Sequence, residues 1–168
     1  MSTIAAGKDS TEVTGTWAAD PVHSEVSFEL VHAGVDTFRG SFRDFTATLE
    51  DGVLAGSARV ASVDVKDEQL AQHLQSPDFF DAQLHPEIAF RAGELTIKGV
   101  TRPVELELTF NGPTTDPFGR ERLGVTAEAT IDRRDFGIAW NAPNQSGGDY
   151  LGNDVRLVAR LALVRQEA

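Results

Sequence analysis

The chain has 168 residues, of which 40% are apolar and 24% charged, and it contains no cysteine. These values are typical of a globular protein with a sizeable core, and a β-rich chain of this length usually forms one sandwich or barrel. The lack of cysteine excludes disulfide bonds, thiol catalysis and thiolate metal sites, and a formal net charge of −11 opposes binding to nucleic acid or anionic membrane surfaces. We therefore expect no nucleic-acid partner.

The first residues show no sign of export or membrane insertion. The opening sequence lacks the cationic start and apolar run of a secretory signal, and no stretch of about 18 apolar residues follows. We expect a flexible N-terminal arm over residues 1–14 and a single domain over residues 15–168. We also expect a cytoplasmic location, unless a leader has been removed, and no stable membrane insertion.

Alternation of apolar and polar residues predicts a first strand between Thr16 and His32. A period of two marks a strand with one buried side. The inward face carries Val26, Phe28, Leu30 and His32. In the next strand Phe38 and Phe42 share a face that Phe45 does not, so we expect a bulge or kink near Gly40–Asp44.

The stretch between residues 62 and 90 is the part of the sequence that favours helix. Asp67 is suited to cap a first short helix, on which Leu70 and Leu74 fall on one face. Ser76 followed by Pro77 predicts the start of a second helix. We therefore expect a helical insertion at about residues 67–83, packed against the strands.

Three longer strands are predicted in the second half of the chain. Their inward residues are Val104, Leu106, Leu108 and Phe110, then Leu123, Val125, Ala127, Ala129 and Ile131, then Val155, Leu157, Ala159, Leu161 and Leu163. Turns rather than helical crossovers join them, which predicts antiparallel pairing. Shorter strands bring the count to about eight, a number that forms a sandwich or a closed barrel.

Closure of the sheet decides the functional class. A barrel of about eight strands either fills its interior with side chains or holds one small ligand. Ala127, Ala129 and Ala159 are small inward residues that leave space, but larger residues opposite them would fill it. Both interpretations stay open at this point.

Several stretches, in order and spanning nearly the whole chain, resemble the YceI family of lipocalin-like proteins. They are Trp17 with Asp20–Ser24 and Val26–His32, Ser76–Asp81 with His85–Phe90, Leu95–Val104, Ile131–Trp140 and Gly152–Val155. The resemblance implies an all-β fold with short helices: an eight-stranded antiparallel lipocalin-like β-barrel. It also implies that a long isoprenoid or similar lipid tail binds in the interior.

Candidate ligand residues follow from this hypothesis. The candidates for contact with the tail are Phe28, Leu30, Phe38, Phe42, Phe79, Phe80, Phe90, Leu106, Leu108, Val125, Ile131, Phe136, Ile138 and Trp140. The candidates for a charged head group are Arg39, Arg43, Arg133 and Arg134, since guanidinium groups suit phosphate oxygens. The negative net charge favours a neutral group such as a quinone or amide. The loop at residues 141–153 is expected to cap the barrel.

Catalytic and metal-binding patterns are not found in the sequence. The four histidines share no ligand spacing, and there is no nucleophile elbow, zinc-protease helix or phosphate-binding glycine loop. We therefore expect no cofactor, no metal and no enzyme activity. The sequence predicts a carrier of an isoprenoid or other long-chain lipid, and a homodimer is compatible with it. A hydrolase or isomerase using the same cavity and a solid barrel acting through its surface are the alternatives.

Overall fold

In a computed structural model of the protein, residues 13–167 are described, and they form twelve β-strands, one α-helix and two 3₁₀ turns. The strands are β1 (Thr16–Ala19), β2 (Glu25–His32), β3 (Asp36–Phe42), β4 (Phe45–Glu50), β5 (Val53–Arg59), β6 (Val63–Asp64), β7 (Glu87–Arg91), β8 (Glu94–Ile97), β9 (Val100–Pro103), β10 (Glu107–Thr115), β11 (Glu121–Asp132) and β12 (Asp154–Arg165). Helix α1 spans Glu68–Leu74, and the 3₁₀ turns span Val60–Ser62 and Arg133–Phe136. The arm expected over residues 1–14 lies almost wholly outside the described residues.

The twelve strands belong to one antiparallel sheet with β12 at its centre. Strand β12 pairs with β11 on one side and with both β1 and β2 on the other. Strand β10 follows β11, and on the other side the order runs through β4, β5, β7 and β8 to β9. Strands β9 and β10 are therefore neighbours in sequence but lie at opposite ends of the pairing.

The prediction of a closed barrel is wrong. Within residues 13–167, no ladder of hydrogen bonds joins β9 to β10. Strand β9 ends at Pro103, which has no N–H to donate, and the N–H of Val104 is used by the carbonyl of Gly93 at 2.8 Å. The chain has thus left the sheet edge before β10 begins to pair with β11 at Glu107.

The predicted number of eight strands is also wrong, because three long strands are each bent into two pieces and the short strand β9 is additional. The stretch from Thr16 to His32 is divided into β1 and β2 by a turn at residues 20–24. Strands β3 and β4 are separated at Arg43–Asp44, inside the predicted kink, and β5 and β6 by the 3₁₀ turn Val60–Ser62. The two halves of each bent strand keep the same neighbours, so the sheet changes direction without losing its pairing.

Helix α1 begins where the sequence predicts it. The Asp67 side chain accepts a hydrogen bond from the Leu70 N–H at 2.9 Å, which satisfies one of the free donors of the first turn. Leu74, near its end, is buried in the core. The first part of the expected helical insertion is therefore confirmed.

The second predicted helix is absent, and residues 76–84 form turns. Ser76 does not act as an N-cap, because its hydroxyl donates to the carbonyl of His73 at 2.6 Å. The Ser76 carbonyl accepts from the N–H groups of Phe79 and Asp81, and Asp81 has a left-handed φ of 52°. A helix cannot continue through that conformation.

The core is divided into two clusters. One, the packed cluster, is built around Trp17, Leu49, Leu123 and Leu163, whose side chains are almost completely buried. The other, the cavity cluster, joins the sheet to α1 and to the 3₁₀ turn Arg133–Phe136. The predicted inward face of β11 is confirmed, since all five of its predicted residues are buried.

An ion-pair network ties the turn between β1 and β2 to the hairpin of β10 and β11. Arg122 donates to Asp116 at 2.7 Å and to Asp20 at 3.3 Å. The hydrogen bond with His23 is the main reason that the pKa of Asp20 is lowered from 3.8 to about 2. The Asp20 carboxylate therefore stabilises the fold only while it is ionised.

We expect the free energy of unfolding to fall as the pH drops from 3.8 to about 2. A carboxyl group with a lowered native pKa contributes stability above its unfolded pKa and loses it as the pH passes through the native pKa. The substitution Asp20→Asn should make this fall shallower in urea denaturation across a pH series. Asp135→Asn, at an exposed site outside the network, is the control, and identical slopes for Asp20→Asn and the wild type would contradict the prediction.

Candidate ligand-binding cavity

A cavity of about 490 Å³ lies between the sheet and two covering segments. The covering segments, called here the cap, are residues 67–86, which include α1, and residues 137–153, which lead into β12. The cavity volume is within the range of about 300–1,000 Å³ that is usual for small-molecule sites. The core is therefore solid at the packed cluster and hollow beneath the cap.

The hollow begins at a row of small side chains on neighbouring strands. Ala127 of β11 is paired with Ala159 of β12, which is in turn paired with Val26 of β2, and all three line the cavity. In the packed cluster the corresponding pair is Leu123 and Leu163. Each of the two interpretations of the interior thus describes one end of it: the space is open beside the alanines and filled by large side chains at the packed cluster.

Four phenylalanines form one wall of the cavity. The ring of Phe28 lies 5.6 Å from that of Phe42 and 6.3 Å from that of Phe80, with Phe38 on its other side at 6.2 Å. Gly40 is paired with Phe28 across β2 and β3, and a Cβ atom at Gly40 would lie only 2.4 Å from the tip of the Phe28 ring. Glycine is thus what allows Phe28 to lie flat across β3.

Under the cap, His73 of α1 borders the cavity between two aromatic rings. Its imidazole lies 4.9 Å from the ring of Phe79 and 5.0 Å from that of Trp140, both in edge-on geometry. Its Nε2 atom is hydrogen-bonded to Asp78 at 3.1 Å. This side chain brings a polar, hydrogen-bonding group to a mostly apolar surface.

A second polar group joins the cap to the sheet. His32 of β2 is hydrogen-bonded through Nδ1 to Asp36 and through Nε2 to the Tyr150 hydroxyl, both at 2.8 Å. The Tyr150 carbonyl accepts from the Ala33 N–H at 2.6 Å. Both His32 and Tyr150 line the cavity, so this contact forms part of its rim.

Arg133 is the charged residue that is buried in the cavity wall. Its side chain, 4% exposed, donates to the carbonyls of Gly152 at 3.0 Å, Ile138 at 3.0 Å and Trp140 at 2.9 Å. These three carbonyls belong to the cap. The guanidinium group therefore holds residues 137–153 in place over the cavity.

Twelve of the fourteen residues predicted to contact a lipid tail lie on the cavity wall. They are Phe28, Leu30, Phe38, Phe42, Phe79, Phe80, Phe90, Leu106, Ile131, Phe136, Ile138 and Trp140. Leu108 and Val125 lie instead in the packed cluster. They share the inward face of their strands, but the register pairs Leu108 with Ala127 at the edge of the hollow and places Val125 beyond Ala127, on the filled side.

The four predicted head-group arginines are separated by the structure. Arg133 lies on the cavity wall, whereas Arg39, Arg43 and Arg134 are exposed. Each of these three is paired with a carboxylate on the surface: Arg39 with Glu29 at 3.0 Å, Arg43 with Asp64 at 3.0 Å and Arg134 with Asp132 at 2.6 Å. The cross-strand partners of Arg39 and Arg43 could not be read from the sequence.

Some cavity residues were missed by the sequence analysis. Leu95 and Ile97 of β8 and Leu157 of β12 line the cavity, as do His73 and Tyr150. Alternation in β8 could have indicated Leu95 and Ile97. Sequence spacing contains no signal that would bring His73 and Tyr150 to one cavity, since they lie on separate cap segments.

Between residues 13 and 167, no group of three or more histidine, aspartate or glutamate side chains is placed to hold a metal ion. No helix there is both long enough and apolar enough to pass through a bilayer.

The antiparallel sheet and its covered apolar cavity define a β-protein with an internal site for a small molecule. The chain belongs to the YceI-like family, since the profile of the YceI-like domain matches residues 17–163. A UPF0312 protein of Staphylococcus aureus strain N315 is 32% identical over 157 residues, covering 83% of this chain and 92% of that protein. The resemblance of the sequence motifs to this family is thereby confirmed.

Solved structures share the fold. A Campylobacter jejuni YCEI protein is 25% identical, with a TM-score of 0.69 over 82% of this chain and 90% of that one. Burkholderia cenocepacia BcnA is 20% identical, with a TM-score of 0.62 over 88% and 99%. A polyisoprenoid binding domain from Saccharophagus degradans is 10% identical, with a TM-score of 0.71 over 89% and 98%.

We expect the substitution Gly40→Ala to destabilise the fold. The new methyl group would push the Phe28 ring toward the cavity, and such overpacking typically reduces the free energy of unfolding by about 1–3 kcal/mol. Gly124→Ala is a matched control in β11, because its Cβ atom would meet Asn111 at an ordinary 3.4 Å. Urea denaturation measures both, and equal stabilities of the two variants would show that Phe28 does not need the space at Gly40.

Proposed function

We propose that the protein is a carrier that holds a long isoprenoid, of polyprenyl or quinone type, or a similar amphiphilic lipid in its cavity. The observation that carries this proposal is the cavity of about 490 Å³ with its wall of phenylalanine, leucine and alanine side chains. In this proposal the carrier is cytoplasmic and transfers its lipid between a donor and an acceptor.

The energetics of an empty apolar space support an occupant. Side chains that line an unfilled apolar space lack van der Waals partners on that side, which lowers the free energy of unfolding. An apolar chain in the cavity would restore the missing contacts, and each methylene that it buries would add about 0.8 kcal/mol to binding.

The comparisons support the same proposal at the level of fold. The Saccharophagus degradans domain is described as binding polyisoprenoid, and it shares this architecture. At 10% identity that likeness does not extend to individual side chains. Support for the proposed ligand class of this chain therefore has to come from the residues of its own cavity wall.

The alternative, a hydrolase or isomerase acting in the same cavity, is favoured by one observation. His73 borders the cavity and is oriented by Asp78 through a hydrogen bond of 3.1 Å. An imidazole with a carboxylate partner can act as a general base. Mass analysis of the bound lipid distinguishes the two functions, because an enzyme changes the lipid and a carrier returns it unaltered.

We expect native mass spectrometry of protein incubated with a polyprenol to show one retained and chemically unaltered lipid. The substitution Ala159→Phe should reduce retention at least about tenfold, because a new ring would occupy the cavity beside Ala127. Its free energy of unfolding should change little, since the ring enters existing space.

Thr126→Phe is the matched control, because Thr126 precedes Ala127 on β11 and faces the outside of the sheet. It should retain the lipid as the wild type does. Absence of any bound lipid in the wild type would overturn the carrier proposal, and a lipid of altered mass would favour the enzyme.

A further inference from the structure

Arg133 is a buried arginine that has no carboxylate in contact with it. Burial lowers the pKa of its guanidinium group, which remains a cation at neutral pH. Among the ion pairs of the described residues, none includes Arg133, although its neighbour Arg134 is paired with Asp132 at 2.6 Å. The cavity wall thus contains one positive charge that no carboxylate contacts.

The hydrogen bonds of Arg133 leave one nitrogen unused. Nε donates to Gly152, and the two hydrogens of Nη1 are used by the carbonyls of Ile138 and Trp140. Within residues 13–167, Nη2 is the one buried polar side-chain atom that has no hydrogen-bond partner. Buried donors without an acceptor are unfavourable, and a buried charge without a counter-ion more so.

We infer that Nη2 of Arg133 binds an oxygen of an anionic group at the end of the carried lipid. This inference rests on the proposed carrier function and specifies its ligand as a long-chain oxyanion, with a carboxylate or a phosphate monoester at one end. Arg133 is part of the cavity wall, so the acceptor comes from the cavity side, and a small shift of the atoms that cover Nη2 brings the two into contact. It supplies both the missing hydrogen-bond partner and the missing negative charge.

The number of free N–H donors on Arg133 restricts the chemical class of the head group further. A guanidinium group usually binds an oxyanion with two nitrogens in parallel. At Arg133 both Nε and Nη1 are already occupied by cap carbonyls, so the head group is bound through Nη2 alone. A single small anion fits this arrangement, whereas a diphosphate would need further cations against the negative net charge of −11.

Shielding by the cap makes this one contact strong. Nη2 has almost no contact with solvent, and a hydrogen bond between charged groups gains strength where water is excluded. The surface pairs of Arg39 and Arg43 lack this shielding, since both side chains are about three-quarters exposed, at 75% and 76%. Head-group selection is therefore assigned to the buried arginine.

The test compares three ligands with the same apolar chain: geranylgeraniol, geranylgeranoic acid and geranylgeranyl monophosphate. Binding to the full chain is measured by titration calorimetry below the aggregation concentration of each ligand. The wild type should bind the acid or the monophosphate at least about tenfold more tightly than the alcohol. The anion that shows this preference, the acid or the monophosphate, identifies which oxyanion is carried.

The substitution Arg133→Met should abolish the preference: the variant should bind the acid, the monophosphate and the alcohol within about threefold of one another, whatever the loss of the three cap hydrogen bonds does to all three affinities together. Arg134→Met is the matched control, since it removes the adjacent, exposed arginine, and it should keep the wild-type preference. If Arg133→Met fails to fold, nitrogen NMR of the wild-type guanidinium groups replaces it. The acid should then shift the Arg133 signals, and the alcohol should not.

The possible failures are distinguishable. If the wild type binds the alcohol with no preference for either anion, the head-group inference is overturned and the carrier proposal stands. A preference that survives Arg133→Met, or Arg133 signals that the anions leave unchanged, also overturns the inference. If none of the three ligands binds, the inference and the carrier of isoprenoids both fail.

Discussion

The size of the inward side chains along β11 and β12 is the constraint on which the rest of the structure depends. The register places Leu123 against Leu163 in one row and Ala127 against Ala159 in another. Large side chains meet across the interior and close it, as protein cores normally do. Alanines cannot reach their opposite neighbours, so the interior opens where the alanine row begins. The position of the cavity along the sheet is thus set by two strands.

The cap depends on side chains to satisfy its backbone. Most of residues 137–153 lie outside the strand ladders, and buried backbone groups there still need partners. Arg133 supplies donors to three carbonyls, and Asn141 donates to the Leu151 carbonyl at 2.8 Å while accepting from the Leu151 N–H at 2.9 Å. These side-chain hydrogen bonds act together with backbone bonds to the end of β2, such as the one from the Gly152 N–H to the Val31 carbonyl at 2.8 Å. Displacing the segment to admit a ligand would break both kinds of bond but would not unpair β11 from β12.

The sequence predicted well which strand residues face the interior. It did not predict where along the interior each of them lies. Alternation with a period of two assigned Leu108 and Val125 to the inside, and both are inside. Whether an inward residue meets the cavity or the packed cluster depends on register, which long-range pairing determines and local spacing does not contain. The same limit applies to Arg39, whose partner Glu29 lies across a strand pair. The prediction that the sheet closes into a barrel was wrong for a related reason. The number of strands alone does not determine whether the two end strands pair with each other.

The comparison between helix α1 and the turns after it shows where local signals are sufficient. Asp67 caps α1 through a bond to a residue three positions along the chain, so the sequence contains the whole interaction. Ser76 carries an equally strong capping signal, but its hydroxyl is used by the preceding helix end, and the following residues pack as turns against the cavity cluster. Tertiary packing therefore overrides the second signal and not the first.

A fold that is kept at 10% identity places few demands on individual side chains. Alternating apolar residues and a row of small ones are sufficient for a hollow sheet, and many sequences meet those conditions. Ligand choice must then come from the few polar groups at the cavity. In this chain those groups include His32, His73 and Arg133, and the first two already have carboxylate partners. Arg133 alone among these three brings an uncompensated charge to the cavity wall, so the argument for specificity centres on it.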